Sequence, residues 1–239
     1  MRSLLTVYRR ELRAYLVSPI PYVIAVLFTG YLAWQLFYGE DGTFFVNNQA
    51  SLEWGFFNDV MPSVLVLLAA AIGMRLWSEE VRGGTLEHLM TLPVSGAALV
   101  VGKFLAAATI LLGCLVLTLP APFSVASLGD LDWGPVMTGY LGAFLLGCSV
   151  LAMGSWISSL TRHQIVAFLL TLAAGFILVF VQLLAGGNSD TVFDAISLGG
   201  HYDLMRRGVI DFRDLLYFGS LILFFIYLNV RTVENRRVR

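Results

Sequence analysis

Charge is what this sequence has least of. Asp, Glu, Lys and Arg supply 13% of its 239 residues, about half of the 25% or so usual in soluble domains. Cysteine is nearly missing: Cys114 and Cys148 both lie inside apolar runs, with no spacing for zinc, and read as small buried hydrophobes. His88, His163 and His201 stand far apart in different loops, which argues against a metal site. The few basic residues sit at the ends of apolar segments and form no single patch, so nucleic acid is not an expected partner. No Gly-x-x-x-x-Gly-Lys-Ser/Thr occurs, so the chain is not expected to bind or hydrolyse a nucleotide itself.

What is present is hydrocarbon. Apolar residues make up 58% of the chain and the mean hydropathy is +0.79. A domain of this size cannot bury so much apolar surface in one soluble core, so lipid is the expected solvent. A spanning helix needs roughly 20 predominantly apolar residues. Six segments qualify, at 20–38, 60–76, 97–119, 136–157, 165–185 and a shorter one at 215–230. The fold class predicted is an all-α integral membrane protein, one domain over 1–239 with no internal repeat. The first span follows a charged leader and precedes no cleavage site, so it is not read as a signal sequence.

The cations set the orientation. With the N-terminus inside, 12 of the 15 Lys and Arg fall on one side, leaving only Arg206, Arg207 and Arg213 on the other. Loops rich in Lys and Arg stay cytoplasmic, so both termini are expected in the cytoplasm and the chain in the inner membrane. The acids lean the other way, 11 of 16 falling outside. Trp34, Tyr38, Trp77, Trp133 and Trp156 mark the interfaces. Ahead of the first span, Leu4, Leu5, Tyr8, Leu12, Tyr15 and Leu16 recur at helical spacing among Arg9, Arg10 and Arg13. That pattern predicts an amphipathic helix in the inner headgroup layer, ended by Ser18-Pro19.

The spans are almost free of ionisable groups. Lys103 is the exception, about two turns from the inner end of its span, where its stem is expected to snorkel to the interface. An ion-coupled carrier or channel would need Asp, Glu or His at mid-membrane. A membrane enzyme would need acids clustered with a histidine near one interface, and the outer acids read as scattered. Both rivals rank below a permease driven from outside the spans. Between spans five and six, Val192, Phe193, Ile196 and Leu198 alternate with Asp190, Asp194 and Ser197, predicting a short amphipathic outer helix. Gln182, near the outer end of span five, is a candidate for hydrogen bonding across a subunit interface.

The inner loop from Ser78 to Ser95 is the one long cytoplasmic connection. Gly83-Gly84 allows a sharp reversal, Thr85 is suited to cap a helix, and Glu87 falls in its first turn. Leu86, Leu89 and Met90 then share an apolar face until Pro93 ends the helix. A short amphipathic helix tied to two spans is built to dock in a groove and pass movement to them.

Glu80-x-x-x-Gly84-Thr85-Leu86-Glu87-x-Leu89-x-x-x-Pro93-Val94-Ser95, followed by Gly102-Lys103-Phe104, resembles the signature of ABC-2 type permeases. Ser158-Ser159-Leu160-Thr161, Gln164-Ile165-Val166-Ala167-Phe168 and Arg207-Gly208-Val209-Ile210-Asp211 are similar to the gliding-motility and copper-maturation-like branch. The resemblance covers nearly the whole chain. It implies that Glu80, Gly83, Gly84, Thr85, Leu86, Glu87, Leu89, Met90 and Pro93 form the coupling element toward an ABC ATPase. It further implies two ATPase copies that use ATP and Mg, a second permease chain identical or paralogous to this one, and no cofactor on this chain. In that branch a partner with a large extracytoplasmic region also occurs.

Overall fold

The computed structural model describes residues 2–38, 52, 56–58, 60–84, 95–182 and 192–237. Among these there are eleven α-helices and no strand. The leader is α1 (Arg2–Val17), followed by α2 (Ile20–Tyr38). The second hydrophobic segment is divided at Met74 into α3 (Val60–Gly73) and α4 (Arg75–Gly83). Next come α5 (Gly96–Leu117), α6 (Pro120–Leu128), α7 (Trp133–Leu160) and α8 (Gln164–Phe180). The short α9 (Val192–Ile196) and α10 (Leu198–Arg206) precede the final α11 (Phe212–Arg237).

Among the described residues, five helical stretches are long and apolar enough to cross a membrane: Ile20–Tyr38, Val60–Gly83, Gly96–Leu128, Trp133–Leu160 and Phe212–Asn235. The fifth expected segment, 165–185, forms a shorter apolar helix, Gln164–Phe180, and its last three residues lie outside the described ones. The second stretch runs past the expected 76 because Arg75 and Glu79 pair across one turn, 2.7 Å apart, and Lys103 holds Glu80. Polar residues read as loop are thereby carried in helix. The last helix likewise runs well beyond 215–230 on both sides.

α7 is the hub. It packs against α3, α4, α5, α8, α10 and α11, and most of its inner half is buried. α2 sits at the rim: Ala25, Phe28, Leu32 and Leu36, spaced at three and four residues, face inward, while Val23, Val26, Leu27 and Trp34 are exposed. That is how a helix in hydrocarbon differs from one in water, its outer face being as apolar as its inner one. α1 packs along α5, with Val7 buried against Gly102, while Leu5, Leu16, Val17, Arg9 and Arg13 are exposed.

The expected outer helix is two helices. Ser197 caps α10 by accepting the Gly200 N–H at 3.1 Å and donates to the Val179 carbonyl at the end of α8, also at 3.1 Å. A Cβ at Gly199 would collide with that same carbonyl, so glycine is required for the approach. Leu198 is buried, whereas Phe193 and Ile196 are exposed.

Candidate functional site

α4 brings together most of the described site residues. Leu76, Trp77 and Ser78 form its buried side, and Glu79 accepts a hydrogen bond from the Gln164 amide at 2.9 Å. Gly84 ends the helix at φ +67°, the left-handed conformation in which glycine has no Cβ penalty. Glu80, Gly83 and Gly84 therefore stand on one short helix and its exit. Thr85, Leu86, Glu87, Leu89, Met90 and Pro93 lie outside the described residues.

Lys103 corrects the expectation from sequence. It does not snorkel: it is 2% exposed, and its ammonium points across the bundle. Nζ donates to the Leu76 carbonyl at 2.9 Å and to Glu80 Oε1 at 2.8 Å, and lies 3.3 Å from Glu11 Oε2. It also sits 5.1 Å from the centroid of the Trp77 ring. Two hydrogen bonds and two neighbouring carboxylates thus meet the ammonium, which is the condition for burying the charge. Arg10 closes the cluster, 2.6 Å from Glu11 and 3.9 Å from Glu80. One cation thus ties α1, α4 and α5 one turn before the end of α4. Glu80 Oε2 is buried and has no partner among the described residues. Beside the cluster, the Tyr15 hydroxyl donates to the Ile72 carbonyl at 3.3 Å. Burial, with Glu11 adding to it, pushes that phenol above its ordinary pKa, so it remains a donor.

A second polar group lies deeper. Ser155 Oγ accepts from Trp77 Nε1 at 3.3 Å and from Asn229 Nδ2 at 2.7 Å, joining α4, α7 and α11. Asn229 is 1% exposed and escaped a reading of the sequence that weighed ionisable residues. An amide inside an otherwise apolar helix was the available signal.

At the other end, His201 is in a helix rather than a loop, and Asp214 is not unpaired. His201 Nδ1 lies 2.7 Å from Asp214 Oδ1, and its ring stacks on Tyr217 with centroids 4.0 Å apart. The acid cluster remains without further ligands: no group of three or more His, Cys, Asp or Glu that could hold a metal occurs among the described residues. Gln182 faces inward, lining a small polar pocket with Asn58, Tyr202, Asp203 and Arg206 of the same chain. Between α2, α3 and α8 lies an open apolar cleft of about 510 Å³, lined by residues including Phe28, Leu67, Phe168 and Phe176.

Compared with known protein families, residues 6–226 match the one described as ABC-2 family transporter protein. No curated protein matches the chain.

Proposed function

The chain belongs to the ABC-2 transporter family, and from that premise we infer that it is the permease subunit of an ATP-driven exporter whose ATPase is a separate polypeptide. The observation that carries the reading is the Lys103 cluster. A push on the segment after Gly84 reaches α4, and through Glu80, Lys103 and Glu11 it reaches α5 and α1 together. Such a cluster moves as a unit, because separating Lys103 from Glu80 leaves a buried charge alone. Residues 85–93 supply the face that docks on the ATPase.

In this reading α8 is the sixth crossing helix of the set, both termini are cytoplasmic, and α1 lies in the inner headgroup layer with Arg9 and Arg13 toward the lipid phosphates. Two permease chains and two ATPase copies complete the exporter, and the Ser158-to-Phe168 and Arg207-to-Asp211 stretches favour the gliding-motility and copper-maturation-like branch. Cysteines introduced at Asn48 and at Asn235 are expected to react with an impermeant reagent from opposite sides of the membrane. Labelling of both from the outside of intact cells excludes the orientation.

The ATPase is expected in trans. The purified chain alone should neither bind nor hydrolyse ATP, while co-expression with its ATPase should yield a stable, ATP-hydrolysing complex on a tag placed on the permease. Stoichiometric nucleotide binding by the isolated subunit contradicts this division of labour.

A further inference from the structure

We propose that Ser158 is the joint of the second span, a positioning residue whose hydroxyl couples α4 to α3 across the break at Met74. The inference rests on the permease reading and adds to it the place where movement of α4 is transmitted or absorbed.

The first N–H groups of a helix need acceptors from outside it. No side chain caps α4 from Met74, whose φ of −57° and ψ of −30° are helical and unstrained. Instead Ser158 Oγ, from α7, accepts the N–H of Trp77 at 3.2 Å and of Ser78 at 3.1 Å. The same hydroxyl donates to the Met74 carbonyl at 2.9 Å, an oxygen that the Ser78 hydroxyl also contacts. One oxygen of a neighbouring helix thus serves both the start of α4 and the residue that follows α3. Ser158 is fully buried.

Three other buried hydroxyls stay within their own helices. Ser149 donates to Leu145, Ser159 to Trp156 and Thr171 to Ala167, each within its own helix. That arrangement is the ordinary way to satisfy a hydroxyl in hydrocarbon. Ser158 reaches 84 residues along the chain instead.

The two sides of the joint lean on the same neighbours in different ways. α3 is pressed on α7, with the Gly73 and Gly154 backbones in direct apposition, and on α8, where Val66 fills the space at Gly175. α4 meets α7 and α8 through polar contacts, from Ser155, Ser158 and Gln164, and Lys103 ties it to α5. Relative movement of the two falls at Met74, where the helix is interrupted. Side chains inserted in a helical ladder mark bends, and hinges fall at element ends. A hydroxyl suits the position because it both accepts and donates and can rotate between partners.

The test is hydrogen exchange on the permease–ATPase complex in lipid nanodiscs, with and without adenylyl imidodiphosphate and Mg. In the wild type, nucleotide should change exchange in both 60–73 and 75–83, with the largest change at the Trp77 and Ser78 amides. Ser158→Ala should raise exchange at those two amides about tenfold without nucleotide, and confine the nucleotide response to 75–83. Ser149→Ala removes a buried hydroxyl of the same helix that donates to the Leu145 carbonyl within α7, and should keep the wild-type pattern. Three results overturn the proposal: wild-type protection at Trp77 and Ser78 that nucleotide leaves unchanged, a Ser158→Ala complex that responds in both segments, or a Ser149→Ala complex that loses the response equally. The first needs no variant. A wild-type chain that binds no ATPase removes the permease reading and the joint with it, whereas a binding, responsive wild type with an identical alanine variant removes the joint alone.

Discussion

Lys103→Met should cost the folded permease about 3–5 kcal/mol, the penalty for removing one partner of a buried ion pair. Methionine retains the stem and roughly the volume, so packing around Trp77 is preserved and the loss reports charge. What remains is Glu80 and Glu11, with side chains 18% and 13% exposed, facing a site that has lost its cation. Arg10 stays with Glu11 at 2.6 Å but lies 3.9 Å from Glu80 and is about half exposed, so Glu80 is the carboxylate it compensates least. The diagnostic is rescue: adding Glu80→Gln and Glu11→Gln should recover a large part of the loss, because an uncharged site no longer carries an unpaired carboxylate. Thermal unfolding of the detergent-solubilised protein, followed by tryptophan fluorescence, measures both. A Lys103→Met chain as stable as wild type, or a triple variant no better than the single one, would show that the cluster is only a surface arrangement.

Leu89→Asp should have its large effect elsewhere, on assembly. By their spacing, Leu86, Leu89 and Met90 are expected to share one apolar face after Gly84. A lone charge buried at a dry interface costs several kcal/mol, so association with the ATPase should fall by about a hundredfold or more while the membrane helices stay inserted. Glu87→Ala removes a helix-dipole contact worth about 0.3–1 kcal/mol and should weaken assembly far less. Co-purification of the tagged permease with its ATPase is the measurement. Full retention of the ATPase by the Leu89→Asp protein would mean that this face rests on lipid headgroups.

The membrane helices were legible because hydropathy accumulates over 18 or more adjacent residues, and no partner is needed to see it. The site was legible only where its signal is local. Gly84 announced a chain reversal, and a left-handed glycine stands there. Lys103 was visible as an oddity, but its destination was not: Glu11 lies in the leader and Glu80 in what read as a loop. Contacts between residues so distant leave no periodicity. The same holds for Asp214, whose histidine lies 13 residues back across a turn between α10 and α11. Ser158 was quoted only as part of a motif, since nothing in Ser-Ser-Leu-Thr says which serine points at another helix.

α5 carries a further helix on each side. Along it lies α1, with exposed Arg9, Arg10 and Arg13. At its far end, Thr118 breaks the helix: its hydroxyl donates to the Leu115 carbonyl at 2.7 Å and meets the Tyr140 hydroxyl at 2.9 Å, and Pro120 opens α6. Together α5 and α6 count 33 residues, about 50 Å if straight, well beyond the roughly 30 Å of bilayer hydrocarbon. The break at Thr118 divides that length, and Phe123 and Leu128 beyond it are exposed. A displacement of α5 along its own axis would have to carry α1 and α6 with it.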